Sequence, residues 1–425
     1  MQKFNLTSAP FMKVFLSLLL ITVITGVKGQ TIKNNLVIIG KTDSVRSKIL
    51  NEERTVWIYM PTGYDAASQQ RYPVIYLLDA DWNFAAFTGM VHELSEVIGN
   101  TVVPPAIIVA IPNTDRTRDL TPTNAMSGPD GKSVPDFKTS GGGEKFTSFI
   151  QTELIPHIDS AYHTAPYKML IGHSFGGLTA MNIIINHTDM FNDYIVIDPS
   201  MWWDGRKLLT QAAEVFKQKR FEGKNMFLAI ANTMPYGMDT LRVQKDTSGG
   251  TAHIRSILGL KNILQQNAGN GLHWSYKYYN EDSHGSVPLI AEYDGLHFLF
   301  SFYNFPPGFQ TNLTDRNAKI DLEAAFTDHY ADISKHLGYK VLAPEDMLNQ
   351  IGYYLLQINL PERAYAAFNL NIKNYPNSGN VYDSMGDYYD NQKNKEKAIE
   401  YYTKALKIKE NSDTRKKLEK LQAGK

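Results

Sequence analysis

A serine flanked by glycines, in Gly172-His173-Ser174-Phe175-Gly176, is where residue type and spacing in this 425-residue chain point most directly to chemistry. The bare G-x-S-x-G pattern is weak, because two glycines and a serine fall into that spacing in roughly one chain in ten of this length. Its surroundings sharpen it. A short strand-like run, Lys168–Ile171, leads in, and a segment with helical apolar spacing, Leu178–Ile185, leads out. A sharp strand–turn–helix lifts a serine hydroxyl clear of a sheet on a strained bend, and glycines remove the side chains that would clash there. Ser174 is therefore the candidate nucleophile.

A serine hydroxyl is a poor nucleophile near neutral pH unless a base takes its proton. With this strand–turn–helix the base follows the nucleophile in sequence, after the last strand. His253, His273, His284 and His297 all follow Ser174. Only His284 lies in a loop (Glu281-Asp-Ser-His-Gly285) directly after an expected strand, Trp274–Tyr279, and it is the candidate base. His297 sits inside the apolar run Leu296–Phe300 and reads as a helix histidine, His273 precedes the strand, and His173 reads as structural, pointing away from the turn.

An acid that orients the imidazole belongs after the strand expected at Met226–Ile230, which favours Asp239, with Asp246 next. Asp198 at the end of the preceding strand, Glu281 and Asp282 beside the base, and a Ser–His dyad with no strong acid partner stay open. A tetrahedral intermediate also needs two donors for its oxyanion. The backbone N–H of Phe175 supplies one, and the loop Asp79-Ala-Asp-Trp-Asn83 supplies the other, assigned to Asp81.

These residues need a scaffold that brings distant loops together. Thr55–Met60 alternates like a half-buried strand. Tyr72–Leu78, Ala106–Ile111, Met169–Ile171, Tyr194–Ile197 and Met226–Ile230 are continuous apolar runs suited to strands buried on both faces. Helical stretches such as Lys145–Tyr162 and Leu178–Asn186 alternate with them, which predicts a doubly wound α/β sheet over residues 30–305. Asn124–Gly143, rich in glycine and proline, reads as a long loop, either a flap beside the site or plain surface disorder.

Residues 306–344 read as a linker. From Glu345 the chain turns helical with a repeat: Asn377-Ser378 recurs as Asn411-Ser412, Gly352 as Gly386, Ala364 as Ala398 and Phe368 as Tyr402, each 34 positions on. That period, with small residues where helices cross and aromatics beside them, is the tetratricopeptide pattern, so 345–425 is expected to form a small all-α unit. Two units are fewer than stand alone, so they should lean on the first domain or on another copy, and they offer a surface for a protein partner or for self-association.

Composition closes off other classes. The chain is 43% hydrophobic and 20% charged, with 43 basic and 43 acidic residues, so nothing marks a nucleic-acid binder. The absence of cysteine excludes a thiol nucleophile, a thiolate zinc site and a lipidated cysteine. Lysines before the apolar stretch Val14–Ile24, and Val27-Lys-Gly29 after it, give residues 1–29 the layout of a secretory signal peptide. Cleavage near Gly29–Gln30 would yield a periplasmic or extracellular protein. The stretch is too short for the roughly 20 residues of a membrane span.

Five motifs in order, Tyr72–Asp79, Asn113–Pro122, Gly172–Leu178, Pro199–Trp203 and His284–Pro288, are similar to the putative esterase family, which includes esterase D and the ferric-siderophore, feruloyl and mycolyl-transferring enzymes. The likeness runs from Val45 to Phe305 and is strongest to the siderophore-esterase branch. It implies an α/β-hydrolase fold, Ser174 and His284 as catalytic residues, and an oxyanion hole near Asp81 and Phe175. Arg118 would match a substrate-side arginine, unless it forms a salt bridge with its neighbour Asp119. The segment Asn232–Met238 departs from the family's acid pattern, and Asp198 replaces a serine common there. Trp82, Trp202 and Trp203 offer aromatic surface to a ligand, or pack in the core. The expected reaction is hydrolysis of a small-molecule ester through an acyl-enzyme, with neither metal nor cofactor. The alternatives are an acyltransferase of the same fold and a non-catalytic scaffold working through its repeats.

Overall fold

The structure, a computed structural model, describes residues 37–68, 70–97 and 101–424; the expected signal peptide lies outside them. β1 (Lys41–Ser47), β2 (Glu52–Tyr59), β3 (Tyr72–Leu78), β4 (Ile107–Ile111), β5 (Thr164–His173), β6 (Asp193–Ile197), β7 (Asn225–Ala231) and β8 (His273–Tyr279) form one sheet in the order β1-β2-β4-β3-β5-β6-β7-β8. β2 runs antiparallel to β4, and from β4 to β8 every pairing is parallel. The continuous apolar runs are the central strands: every residue of β3, β4 and β6 is buried, as parallel strands covered on both faces require. β8, at the edge, stays largely open.

Helices cover both faces. On one side α1 (Ala80–Glu96) and α8 (Val287–Leu299) pack Phe84, Phe87, Val91, Ala291 and Leu296 against Ile75, Leu77, Met169 and Ile195. On the other, α2 (Arg116–Leu120), α3 (Gly143–Phe149), α4 (Ile155–Ala161), α5 (Phe175–Asn186), α6 (Trp203–Gln218) and α7 (Ala252–Gln266) cover the alternate side chains Val74, Tyr76, Leu170, Val196 and Leu228. Alternation of side chains across each strand feeds two cores from one set of strands. The doubly wound α/β sheet expected from the sequence is the fold observed.

The long loop 124–143 is ordered by its own hydrogen bonds, Val134 N–H to Met126 O at 2.7 Å and Asn124 Nδ2 to Ser140 O at 2.9 Å. Its Phe137 ring packs 5.8 Å from Phe175 and 5.0 Å from Trp203. It is built structure beside Phe175, the residue after Ser174.

The stretch 306–344, expected as a linker, carries two helices, α9 (Phe309–Thr314) and α10 (Leu322–Leu337). α10 has two apolar ends. Ile333 and Leu337 enter the core that contains Tyr167 and Phe300, while Leu322 and Phe326 join Leu348, Leu355 and Phe368 of the repeats. The repeats, α11 (Glu345–Gln357), α12 (Pro361–Asn374), α13 (Gly379–Asn391), α14 (Lys395–Ile408) and α15 (Ser412–Gln422), thus lean on the sheet through α10. The 34-residue spacing has a direct physical basis. A Cβ on Gly352 would sit 2.5 Å from the Phe368 ring, and one on Gly386 the same 2.5 Å from Tyr402. Each glycine lets its helix close onto the aromatic of the next.

Candidate active site

Parallel register delivers three loops to one end of the sheet. His173 pairs with Ile197, and Ile197 with Ala229, so the residues after β5, β6 and β7 emerge side by side. Ser174 follows β5 with φ 58° and ψ −113°, a conformation that side-chain-bearing residues rarely adopt. The bend exists because its neighbours lack side chains: a Cβ on Gly172 would lie 2.2 Å from Gly176 O, and one on Gly177 3.0 Å from Pro199 Cα. Ser174 Oγ is 3.4 Å from Ser200 Oγ, and the Ser174 backbone bonds to Ile197 O and receives Ser200 N–H, each at 3.0 Å.

Asp198, also at positive φ and wholly buried, is the hub of the site. Its Oδ1 accepts Ala231 N–H at 2.9 Å, and its Oδ2 accepts from His284 Nδ1 at 2.6 Å and from His253 Nε2 at 2.8 Å. Burial by itself would raise the carboxyl's pKa, but the hydrogen bonds from His253 and His284 outweigh it and hold it well below the usual range. The His284–Asp198 bond puts the imidazole proton on Nδ1 and leaves Nε2 as the ring nitrogen able to accept one. The His284 loop is pinned by Asn232 N–H to Asp282 O at 2.8 Å and by Asn232 Nδ2 to Asn280 O at 2.9 Å.

Asp239, the acid favoured from the sequence, does not reach this cluster. It is exposed, and its Oδ1 caps the turn it belongs to, accepting Leu241 and Arg242 N–H at 2.9 and 2.8 Å. The loop after β7 runs outward, so the position after β6 takes its place. Asp246 likewise binds Ser248 and Thr251, Glu281 accepts from Asn280, and Asp282 accepts from Ser286. His173 was expected to point away; instead its ring centroid lies 4.5 Å from that of His284, and burial, followed by the charge of His284, pushes its pKa down to about 4. His253, on the first turn of α7, carried no positional signal in the sequence.

The two assigned oxyanion donors lie on adjoining helix starts. Phe175 opens α5 and Asp81 lies in the first turn of α1, where backbone N–H groups have no intrahelical acceptor. These segments touch, since a Cβ on Gly176 would be 3.1 Å from Asp79 Oδ2 and 3.4 Å from Leu78 Cβ. The Asp81 side chain accepts Asn113 N–H at 2.8 Å, fixing the turn.

Arg118 is not at the site. Its guanidinium is taken by Asp119 at 2.7 Å and Glu52 at 2.7 Å, and Arg54 completes the network on Asp119 at 2.6 Å, so the salt-bridge reading holds. Arg116 is there instead. It binds Asp79 in a bidentate pair at 2.7 and 2.9 Å and lies 5.1 Å above both the Trp82 and Phe175 rings. Two positions apart on a helical turn, Arg116 and Arg118 face different ways. Trp82 is 69% exposed at the rim, whereas Trp203 is core, its Nε1 donating to Thr123 O at 3.1 Å.

Among the described residues, the Asp198–His253–His284 group is the one with metal-ligand spacing, and the hydrogen bonds to Asp198 already account for its arrangement. No described helix is long and apolar enough to cross a membrane.

Residues 47–244 match the family described as Putative esterase, and 379–412 match the tetratricopeptide repeat. The crystal structure of an IroE-like serine hydrolase from Shewanella oneidensis superposes with a TM-score of 0.64 at 32% identity, covering 78% of this chain and 98% of that one. The chain belongs to the putative esterase family. The ferri-bacillibactin esterase BesA of Bacillus subtilis is 35% identical over 166 residues, which is 36% of this chain and 56% of the relative. The siderophore enterobactin esterase of Emericella nidulans is 32% identical over 164 residues, 34% of this chain and 52% of the relative. The chain spans about half the length of these curated relatives. The family match ends at residue 244, before β8 and His284, so the place of His284 rests on the structure.

Proposed function

We propose that this chain is a serine carboxylic-ester hydrolase. The observation that carries the reading is the 2.6 Å bond from His284 Nδ1 to the buried Asp198 carboxylate, at the strand ends where Ser174 stands on its strained bend. His284 Nε2 takes the Ser174 hydroxyl proton as Oγ attacks the ester carbonyl carbon. The carbonyl oxygen becomes an oxyanion held by the N–H groups of Phe175 and Asp81. The carbon–oxygen bond to the alcohol then breaks, and His284 gives its proton to the departing oxygen. Water repeats the cycle on the acyl-enzyme, releasing the acid and restoring Ser174. Asp198 stays ionised throughout, fixes the imidazole and stabilises its charged form.

The relatives named as siderophore esterases support a siderophore-type ester as the substrate class. We assign the repeats to a protein partner or a second copy of the chain, and residues 1–29 to export, which a mature N-terminus at Gln30 would display. The decisive test is hydrolysis of p-nitrophenyl acetate or butyrate by the purified protein. Ser174→Ala should lower the rate at least ~10²-fold, and equal rates would remove the mechanism. A panel of ferric and iron-free siderophores, acetylated sugars and feruloyl esters, with and without an added acceptor alcohol, identifies the substrate and separates hydrolysis from acyl transfer.

A further inference from the structure

Beside the catalytic residues lies a pocket of about 500 Å³ that the mechanism above does not use. Leu77, Leu78, Ile171, Ile197 and Leu289 give it apolar walls, and Trp82 stands at its rim. It runs under Gly172–His173, immediately before the nucleophile, and under Gly285–Ser286, immediately after the base. Asp79, Asn83, His173, Ser286 and Glu292 break the apolar lining, and two of these five carry a buried atom with no partner. Glu292 on α8 is fully buried; its Oε1 accepts from Asn83 Nδ2, and its Oε2 has no partner. His173 Nε2 is also buried without a partner.

A buried carboxyl with one vacant oxygen costs free energy unless something meets it, so an unmet group lining a pocket marks a place for a ligand atom. Both groups are uncharged near neutral pH. Burial pushes Glu292 up to about 8 against the pull of its Asn83 hydrogen bond, and burial keeps His173 neutral. Asp79, the other acid in the wall, is paired with Arg116. The cavity therefore offers hydrogen bonds with no net charge, inside apolar walls. A charged group entering it would be desolvated without an opposite charge, and a plain alkyl chain would leave Glu292 unmet. In an ester the acyl part stays bound to Ser174 through both half-reactions, whereas the alcohol departs after the first.

We propose that this pocket is the acyl subsite, and that Glu292, assisted by His173, selects an uncharged acyl chain carrying an amide or hydroxyl group. The proposal rests on the serine-esterase reading and deepens it.

The test compares two p-nitrophenyl esters of similar length, hexanoate and N-acetyl-β-alaninate, with the acetate as a reference too short to fill the pocket. Relative to their spontaneous hydrolysis, the wild type should cleave the amide ester with a kcat/KM ~10-fold above the hexanoate, in line with a site built to hydrogen-bond a substrate group. Glu292→Leu should erase or invert that ratio, and Glu292→Gln, which keeps a donor at the vacant position, should retain it. A wild type with no amide preference overturns the proposal whether or not the variants fold. So does a Glu292→Leu protein that melts cooperatively and keeps the ratio. If acetate cleavage survives Ser174→Ala, the esterase reading itself has failed, an outcome separate from either.

Discussion

Replacing Asp198 with asparagine separates the site observed from the one expected at Asp239. The substitution keeps size and an Oδ1 acceptor for Ala231 N–H, and removes the negative charge that His284 Nδ1 meets at 2.6 Å. In the transition state the imidazole is positive, and unit charges about 4 Å apart at an effective dielectric near 20 attract by about 4 kcal/mol. That is about a thousandfold in rate. The wrong imidazole tautomer works in the same direction, and losses reach about 10⁴ in triads of the Ser-His-Asp type. The N–H of His253, already on the same oxygen at 2.8 Å, softens the effect, because part of the carboxylate's field is spent on a second imidazole. The expectation for Asp198→Asn is thus a fall in kcat of about 10³-fold on p-nitrophenyl butyrate, with KM within ~3-fold. Asp239→Asn, which changes an exposed turn, should stay within ~2-fold of wild type. Stopped-assay kinetics with a melting curve on each variant decide the matter. A folded Asp198→Asn protein within ~10-fold of wild type, or an Asp239→Asn loss of similar size, refutes the reasoning.

Gly172→Ala should abolish the bend, since the new methyl would lie 2.2 Å from Gly176 O; a loss of ester cleavage of at least ~10²-fold and a lower Tm are expected, and full activity would contradict the packing. Gly386→Ala drives a methyl to 2.5 Å from the Tyr402 ring, so the repeats should lose about 1–3 kcal/mol, read as earlier proteolysis within 345–424 with unchanged ester cleavage. Glu292 gives a pH signature. Its folded pKa, about 8, exceeds its ordinary 4.5, so between those values the folded state holds a proton the unfolded state has lost, and stability falls as pH rises. The Tm of Glu292→Gln relative to wild type should accordingly climb from pH 5 to pH 8 and then level off; a flat difference would place Glu292 in an ordinary ionised state.

Much of the site was legible because it is written in local geometry. The glycines around Ser174, the apolar strand before it and the helix after it are one continuous segment, so the bend they make shows in a short stretch of sequence. His284 was legible by position, as the histidine in the loop after the last strand. The repeat was legible because the contact of Gly352 with Phe368 recurs between Gly386 and Tyr402. Residues 306–344 misled because α10 divides its apolar side chains between two cores, leaving no strong single stripe.

What the chain's order alone determined, then, is which backbone conformations and strand runs must form. Which side chains from separate loops meet was decided by the folded sheet. Asp239 and Asp198 follow adjacent parallel strands, and position along the sequence favours Asp239. Only the outward path of one loop and the positive φ of the other put Asp198, and not Asp239, against His284. The same holds for His253, Arg116 and Glu292, whose partners lie 55, 37 and 209 positions away and meet them only through packing. Local conformation follows short-range sterics that a sequence carries within a few residues. A hydrogen bond between loops depends on the register and twist of every strand between them.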